Sequence, residues 1–177
     1  MKKLTLLLVI VLTLTCGSLF AQDDYPRAEV FGGFSLLNTD MSGLWNERYS
    51  FYGFQANGVF NLDEHFGVEA DFGGQYKSEE GETVHFYEYM FGPRFAVRQE
   101  KATFFVHALF GGTNLGISGD SVSGFSLGIG GGVDLNMSDH FAVRVVQFDW
   151  IPSRFTEDDE ILWIKDTVRF GFGIVIK

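Results

Sequence analysis

The sequence predicts an all-β protein: a closed, antiparallel, up-and-down barrel of eight strands. The chain holds 20 phenylalanines and 22 glycines but only three prolines. Large apolar residues alternate with small or charged ones in segments of about ten residues, which is the two-residue period of a β-strand. The connections between these segments are alternately short and long. No long stretch shows the 3.6-residue period of a helix.

The segment from Phe125 to Trp150 shows this pattern most clearly. Its first strand places large apolar side chains on one face and glycines, Ser126 and Asp134 on the other. The five residues 136–140, four of them polar, then predict a tight turn, and Phe141 begins a strand that pairs back as a hairpin.

Repeating the analysis along the chain predicts eight strands and two kinds of connection. The strands are Arg27–Leu37, Ser50–Phe60, Phe66–Tyr76, Val84–Arg98, Thr103–Thr113, Phe125–Leu135, Phe141–Ile151 and Thr167–Lys177. The short connections are Asn61–His65, Gln99–Ala102 and Asn136–His140, and the long polar ones are Asn38–Tyr49, Lys77–Thr83, Asn114–Gly124 and Pro152–Asp166. Short turns at one end and long loops at the other are typical of a transmembrane barrel.

The N-terminus predicts export. Two lysines precede a nearly continuous apolar run from Leu4 to Leu14, and Ala21 offers a small residue for cleavage. We therefore predict a signal peptide over residues 1–21 and a barrel domain over 22–177. Lipoprotein processing at Cys16 is the alternative.

Cleavage after Ala21 leaves a single domain of about 155 residues. This mature chain contains no cysteine, so it forms no disulfide. Loss of two lysines changes the formal charge from −10 to −12, which does not suit nucleic acid.

The alternating pattern leaves open which face points inward. An eight-stranded barrel has too little interior for this many aromatic rings. Gly128, Gly130 and Gly132 would leave room in a narrow lumen for long side chains from neighbouring strands. We therefore predict an inward charge network of Glu29, Glu69, Asp71, Glu88, Arg94, Asp134, Arg144, Asp149 and Arg169. The predicted lipid-facing residues are Phe54, Phe72, Phe91, Phe95, Phe110, Leu127, Ile129, Phe170, Phe172 and Ile174.

Aromatic girdles at the membrane interfaces are predicted from Tyr52, Tyr76, Tyr87, Tyr89, Trp45, Trp150 and Trp163.

Two positions break the alternation. The seventh strand places Arg144, Gln147 and Asp149 on one face only if an extra residue, a β-bulge, lies at Val145–Val146. Pro93 cannot donate a ladder hydrogen bond, so it predicts a local defect or bulge.

No catalytic or metal-binding constellation is predicted. His65 and His140 occupy equivalent turns but lack the third ligand that a metal site requires, so we interpret them as turn residues. The two candidate catalytic groups, His85 with Ser78, Glu79 and Glu82, and Asp134 with Ser138 and His140, match no known motif. We expect a non-enzyme without a cofactor.

The chain resembles the small outer-membrane β-barrel family, whose members include OmpA-like and OmpX-like porin-family barrels. The resemblance rests on the segments Phe91–Phe95 and His65–Glu69, the strand from Asp139 to Trp150, and the alternating final strand. It implies a monomer in the bacterial outer membrane, in contact with membrane lipid, lipopolysaccharide and the barrel assembly machinery. Family members usually end on an aromatic residue, whereas this chain ends Ile176-Lys177.

Three functions are compatible with this interpretation. The first is a non-enzymatic envelope protein whose loops, including Trp45–Arg48 and the acidic run Glu157–Glu160, contact the surroundings. The second is a narrow channel for ions or small solutes, and the third is a lipid-modifying enzyme. The narrow interior of eight strands favours the first.

Overall fold

The computed structural model describes residues 25–40, 48–79, 82–117, 120–157 and 160–177. The predicted signal peptide, its cleavage site and the loop residues Trp45–Glu47 lie outside these ranges. The strands are β1 (Ala28–Asp40), β2 (Arg48–Asn61), β3 (Phe66–Glu79), β4 (Glu82–Arg98), β5 (Ala102–Ile117), β6 (Asp120–Ser138), β7 (Phe141–Trp150), β8 (Ser153–Glu157), β9 (Glu160–Ile164) and β10 (Thr167–Ile176). The described residues contain no helix long and apolar enough to cross a membrane.

The strands close into one antiparallel barrel. β1 pairs with β10 from Val30↔Ile176 to Thr39↔Thr167, and β5 pairs with β6, so β1 to β7 and β10 form a closed ring in which each strand has a neighbour on both sides. Among the described residues, β9 pairs with β8 alone. The seventh barrel strand is interrupted at Ile151–Pro152, which separates β7 from β8. The eighth is interrupted before Thr167, which separates β9 from β10. The predicted eight-stranded closed barrel is therefore confirmed.

Three of the predicted long loops are partly or wholly strand in the structure. β5 and β6 stay paired out to Ile117↔Asp120, and β3 and β4 out to Glu79↔Glu82. The segment Pro152–Asp166, predicted to be a loop, forms the β8–β9 hairpin instead. Polar composition predicted loops, but an extended hairpin satisfies its own backbone hydrogen bonds beyond the barrel wall.

The predicted bulge in the seventh strand is confirmed. Val133 pairs with Val146 whereas Asp134 pairs with Arg144, which leaves Val145 as the extra residue. Val145 and Val146 both point outward, so Arg144 and Gln147 both point inward. At Pro93 the ladder to β5 lacks partners for Gly92 and Pro93, but the register continues unchanged, so the defect is not a bulge.

The outer face of the barrel wall is apolar and the inner face carries the charges, as expected, but one expectation needs correction. All ten residues predicted to face lipid are exposed on the outside of the barrel. However, not every aromatic ring points outward: the side chains of Phe31, Phe51, Phe86, Phe105 and Phe155 are buried in the lumen. The lumen thus contains apolar as well as ionic layers.

Candidate functional site in the lumen

The lumen holds a dense network of ion pairs. All nine charged residues of the predicted inward network are at most 3% exposed. Burying so many charges is costly unless each is paired and hydrogen-bonded, so their partners determine whether the interior is stable. The inward side chains of β4 give the order along the axis, from Phe86 at the loop end through Glu88 to Arg94 and Arg98 at the turn end.

The layer nearest the turns contains three arginines and two carboxylates. Arg144 Nε lies 2.7 Å from Asp134 Oδ1, and Arg144 Nη2 lies 3.0 Å from Asp134 Oδ2, a bidentate pair. Arg94 Nη2 lies 3.4 Å from Glu29 Oε2 and 3.6 Å from Asp134 Oδ2. Arg98 Nη2 donates to Glu29 Oε1 at 2.7 Å. These residues form the turn-end layer.

Two inward phenylalanines belong to this layer. The Arg144 guanidinium lies between the rings of Phe31 and Phe105, at 4.2 Å and 4.3 Å from their centroids. The Arg94 guanidinium lies 4.1 Å from the Phe105 centroid. Guanidinium groups stack favourably on aromatic faces, especially away from water, so these rings stabilise the buried cations.

Arg169 is the centre of the middle layer. Its Nη1 lies 2.8 Å from Asp71 Oδ1 and 3.0 Å from Glu88 Oε2, and its Nη2 lies 2.7 Å from Asp149 Oδ2. One guanidinium therefore serves three carboxylates from three strands. Its five donors in a rigid fork make this possible, whereas a lysine would act as a single point charge.

His107 completes the middle layer and was absent from the predicted network. Its Nδ1 lies 3.0 Å from Glu69 Oε2 and its Nε2 lies 2.9 Å from Asp149 Oδ1. Ionised carboxylates only accept hydrogen bonds, so this geometry suits an imidazolium that donates from both nitrogens. Alternation places His107 inside, but its partners are 38 and 42 residues away, and only the barrel closure brings them together.

Amide side chains connect the ion pairs; Gln147 was predicted to face inward, but neither it nor Gln55 was part of the predicted charge network. Gln55 Nε2 donates to Asp71 at 2.6 Å, and Gln147 Nε2 donates to Asp149 at 2.9 Å. Gln147 Oε1 also accepts from Arg144 at 2.6 Å, which links the turn-end and middle layers. Their position on the polar face of their strands was the only sequence signal for this role.

An apolar layer closes the loop end of the lumen. Its members are Leu37, Phe51, Phe86, Leu115, Phe155 and Ile164, each at most 8% exposed. Phe155 and Ile164 come from β8 and β9, so this hairpin is anchored to the barrel by its own side chains. We refer to these six residues as the loop-end apolar layer.

The row of glycines on β6 makes room for these layers. A Cβ added to Gly130 would collide with Asp149 Oδ1, and one added to Gly132 would press on the Phe105 ring. A Cβ on Gly128 would lie 3.2 Å from the Met90 sulfur. The space beside these glycines is therefore occupied by side chains from other strands, which are β7 for Asp149, β5 for Phe105 and β4 for Met90.

The candidate catalytic group of Asp134, Ser138 and His140 is not assembled. Asp134 is buried in its pair with Arg144, whereas Ser138 and His140 are exposed at the turn. His85 lies on the outer face with its ring 5.1 Å from that of Tyr87, and the side chains of Glu79 and Glu82 lie outside the described residues. His65 stacks on Phe95 at 5.7 Å. Within the described ranges, no three His, Cys, Asp or Glu side chains are grouped to hold a metal.

The outer surface carries tyrosine and tryptophan side chains towards the loop end of the wall. Tyr52, Tyr89, Trp150 and Trp163 are between 42% and 56% exposed. Tyr76 and Tyr87 share a hydrogen bond of 2.7 Å between their hydroxyls. Tyrosine and tryptophan are suited to a membrane interface, where one end of the side chain is apolar and the other is hydrated.

An apolar outside and an ionic inside define a class of protein, the transmembrane β-barrel. A family model described as the outer membrane protein beta-barrel domain matches residues 7–173, so the chain belongs to that family and is an outer-membrane barrel protein. A comparison with curated proteins gave no match.

Solved structures of similar fold are small outer-membrane proteins. Neisserial surface protein A aligns with a TM-score of 0.64 at 8% identity, covering 85% of this chain and 97% of that one. OprG from Pseudomonas aeruginosa aligns with a TM-score of 0.55 at 9% identity, covering 84% and 94%. Ail, the attachment invasion locus protein of Yersinia pestis, aligns with a TM-score of 0.50 at 19% identity, covering 84% and 97%. At these identities the likeness shows the fold alone.

Proposed function

We propose that the protein is a non-enzymatic envelope protein that contacts its surroundings through its loop-end hairpins, and that its barrel is a sealed anchor. The observation that carries this proposal is the filled lumen. Ion pairs in the middle and turn-end layers are buried, and the loop-end apolar layer lies above them. A conducting pore needs a continuous polar path, which this packing does not offer.

The hairpins supply the contact surface. β5 and β6 extend as a paired ribbon to Ile117 and Asp120, and the β8–β9 hairpin is held by Phe155 and Ile164. On its outer side Trp163 is 51% exposed, with the Arg154 guanidinium 5.9 Å from its ring centroid. A preformed surface with exposed tryptophan and arginine loses little conformational entropy on binding a partner.

Conductance measurements test the sealed lumen. Purified protein reconstituted in planar bilayers should give no stepwise current. The double variant Phe51→Ala with Phe86→Ala weakens the loop-end apolar layer and is measured beside it for comparison. Regular single-channel steps from the unmodified protein would establish the channel hypothesis instead.

A second experiment tests the hairpin surface and the absence of lipid chemistry. Cells expressing a variant with Arg154→Ser and Trp163→Ser, which keeps the anchoring residues Phe155 and Ile164, should insert the barrel normally but lose surface contacts, measured as adhesion to lipopolysaccharide-coated and uncoated surfaces. Adhesion equal to that of the unmodified protein would contradict the proposal.

Mass spectra of lipid A should be identical with and without the protein, and a modified lipid A would establish an enzyme.

A further inference from the structure

The lumen opens at the turn end into a cavity of about 540 Å³. Its floor includes Arg98, Thr103, Asn136 and Lys177, which lie at the turn ends of β4, β5, β6 and β10. Because short turns of such barrels face the periplasm, periplasmic solutes reach this cavity directly. It lies at the opposite end from the hairpins, so what it binds does not depend on the proposed surface contact.

Hydrogen-bond donors line this floor. Lys177 Nζ donates to Asn136 Oδ1 at 2.5 Å and keeps two further protons. Arg98 donates to Glu29 at 2.7 Å and to the carbonyl oxygen of Glu64. Thr103, the ladder partner of Arg98, is 1% exposed, and its hydroxyl has no hydrogen-bond partner among the described residues. A buried hydroxyl that lines a cavity and has no partner in the protein can donate to a molecule bound there.

The charge around the floor favours an anion. The carboxylates beside it, Glu29 and Asp134, are already paired with arginines of the turn-end layer. Counting Lys177, four cationic side chains face three carboxylates, because Glu69 also interacts with Arg94 and Arg144. The remaining acidic residues of the cavity, Glu64, Glu100 and Asp139, are exposed at its rim together with Lys101, where water and salt screen them.

We propose that this cavity binds small periplasmic solutes through a carboxylate or phosphate group, with the Thr103 hydroxyl, the Lys177 ammonium and the Arg98 guanidinium as donors. Oxyanions with several oxygens can accept from all three donors at once, and charge-assisted hydrogen bonds are the strong ones. Chloride offers a single centre and is the weaker ligand.

Burial lowers the pKa of the Lys177 ammonium, which gives the proposal an independent readout. An anion bound beside Lys177 favours its charged form and should raise that pKa. This rise in pKa is confined to Lys177, so an effect of ionic strength on the whole barrel would not reproduce it.

The test is a titration of the barrel in nonionic detergent with inorganic phosphate and with acetate at constant ionic strength, followed by the amide chemical shifts of Thr103, Asn136 and Lys177. We expect saturable shifts. Thr103→Val and Lys177→Gln should each weaken binding about tenfold, because each removes one hydrogen bond to a charged ligand. Thr103→Ser, which keeps the hydroxyl, and Lys165→Gln, the same charge change at the other end of the barrel, should leave it unchanged.

Two results would overturn the proposal: equal shifts with sodium chloride, or equal losses in Lys177→Gln and Lys165→Gln. A parallel titration with glycerol phosphate and with vesicles containing phosphatidylglycerol distinguishes the source of the group. Saturation by the soluble ester supports a free solute, whereas a response only to the vesicles identifies a lipid headgroup and contradicts the proposal.

Discussion

At the scale of single residues, Arg169 pairs with three carboxylates, more than Arg94, Arg98 or Arg144. It is completely buried and lies within 3.0 Å of carboxylate oxygens from Asp71, Glu88 and Asp149. Removing one partner of a buried ionic network is costly mainly because the other charges stay behind uncompensated. The stability of the barrel should therefore depend on this side chain more than on any surface charge.

We predict that Arg169→Leu lowers the free energy of unfolding by about 3–5 kcal/mol. Arg154→Leu is the matched control, because Arg154 is exposed and only stacks near Trp163, and it should cost less than about 1 kcal/mol. Urea unfolding in lipid vesicles measures both values. Adding Glu88→Gln to Arg169→Leu should recover part of the loss; equal costs for the two single variants would contradict the central role of Arg169.

At the scale of elements, the bulge at Val145 fixes which side chains of β7 face the lumen. Side chains alternate along a strand, so an extra residue would send every later side chain to the opposite face unless a bulge absorbs it. The bulge keeps both Arg144 and Asp149 inside, where each has an ion-pair partner.

Deletion of Val145 should therefore remove the bulge without changing the face of any other side chain, because Val146 then lies outside between the inward Arg144 and Gln147. Deletion of Phe148, a residue of the regular alternation, should turn Gln147 or Asp149 towards lipid and prevent stable folding. The faster-migrating folded band in unheated gel samples should be kept by the Val145 deletion and lost by the Phe148 deletion. Loss of the band in both variants would show that the bulge itself is required.

The turn between β2 and β3 is a second element with a local determinant. Asp63 Oδ1 accepts hydrogen bonds from the amides of His65 at 2.7 Å and Phe66 at 2.8 Å. These bonds, the Phe66 one above all, lower the pKa of the Asp63 carboxyl below its ordinary value.

A lowered folded-state pKa means that the stabilisation is complete above the unfolded value of about 3.9 and is lost as pH falls through the folded value. We predict that the hydrogen-exchange protection factor of the Phe66 amide is constant from pH 5 to 7 and falls in acid. Asp63→Asn, which still accepts a hydrogen bond but does not titrate, should remove this pH dependence. A protection factor that falls equally in both proteins would rule out the Asp63 carboxylate as its cause.

At the scale of the whole molecule, the barrel reverses the arrangement of a water-soluble protein. Exposed phenylalanines such as Phe34, Phe54 and Phe172 cover the outside, whereas arginines and carboxylates fill the inside. Lipid is the solvent for the outer face, so the cost of a charge there depends on its depth.

We predict that Phe172→Arg destabilises membrane insertion by about 2–4 kcal/mol, the cost of arginine at the bilayer midplane. Phe172 pairs with Phe34 in the middle of the β1–β10 seam and is 56% exposed. Phe172→Leu keeps the apolar surface and is the control. Unchanged heat-modifiable migration and membrane yield for Phe172→Arg would contradict the lipid-facing assignment.

The sequence by itself determined the architecture, the strand faces and the bulge at Val145, because these follow from local alternation of apolar and polar residues. It also determined that the charges of β3, β4, β6, β7 and β10 share a face. It could not show that five phenylalanines turn inward, because alternation does not distinguish a ring that stacks on Arg144 from one that faces lipid.

Only the tertiary structure decided which charges meet. His107 joins Glu69 to Asp149 across the lumen, and Arg169 joins strands that are distant in the chain. Loop length was misjudged for a related reason: polar hairpins can remain strands when Phe155 and Ile164 anchor them in the loop-end apolar layer. Pairing across a closed barrel depends on strand tilt and register around the whole ring, and no local segment of sequence contains that information.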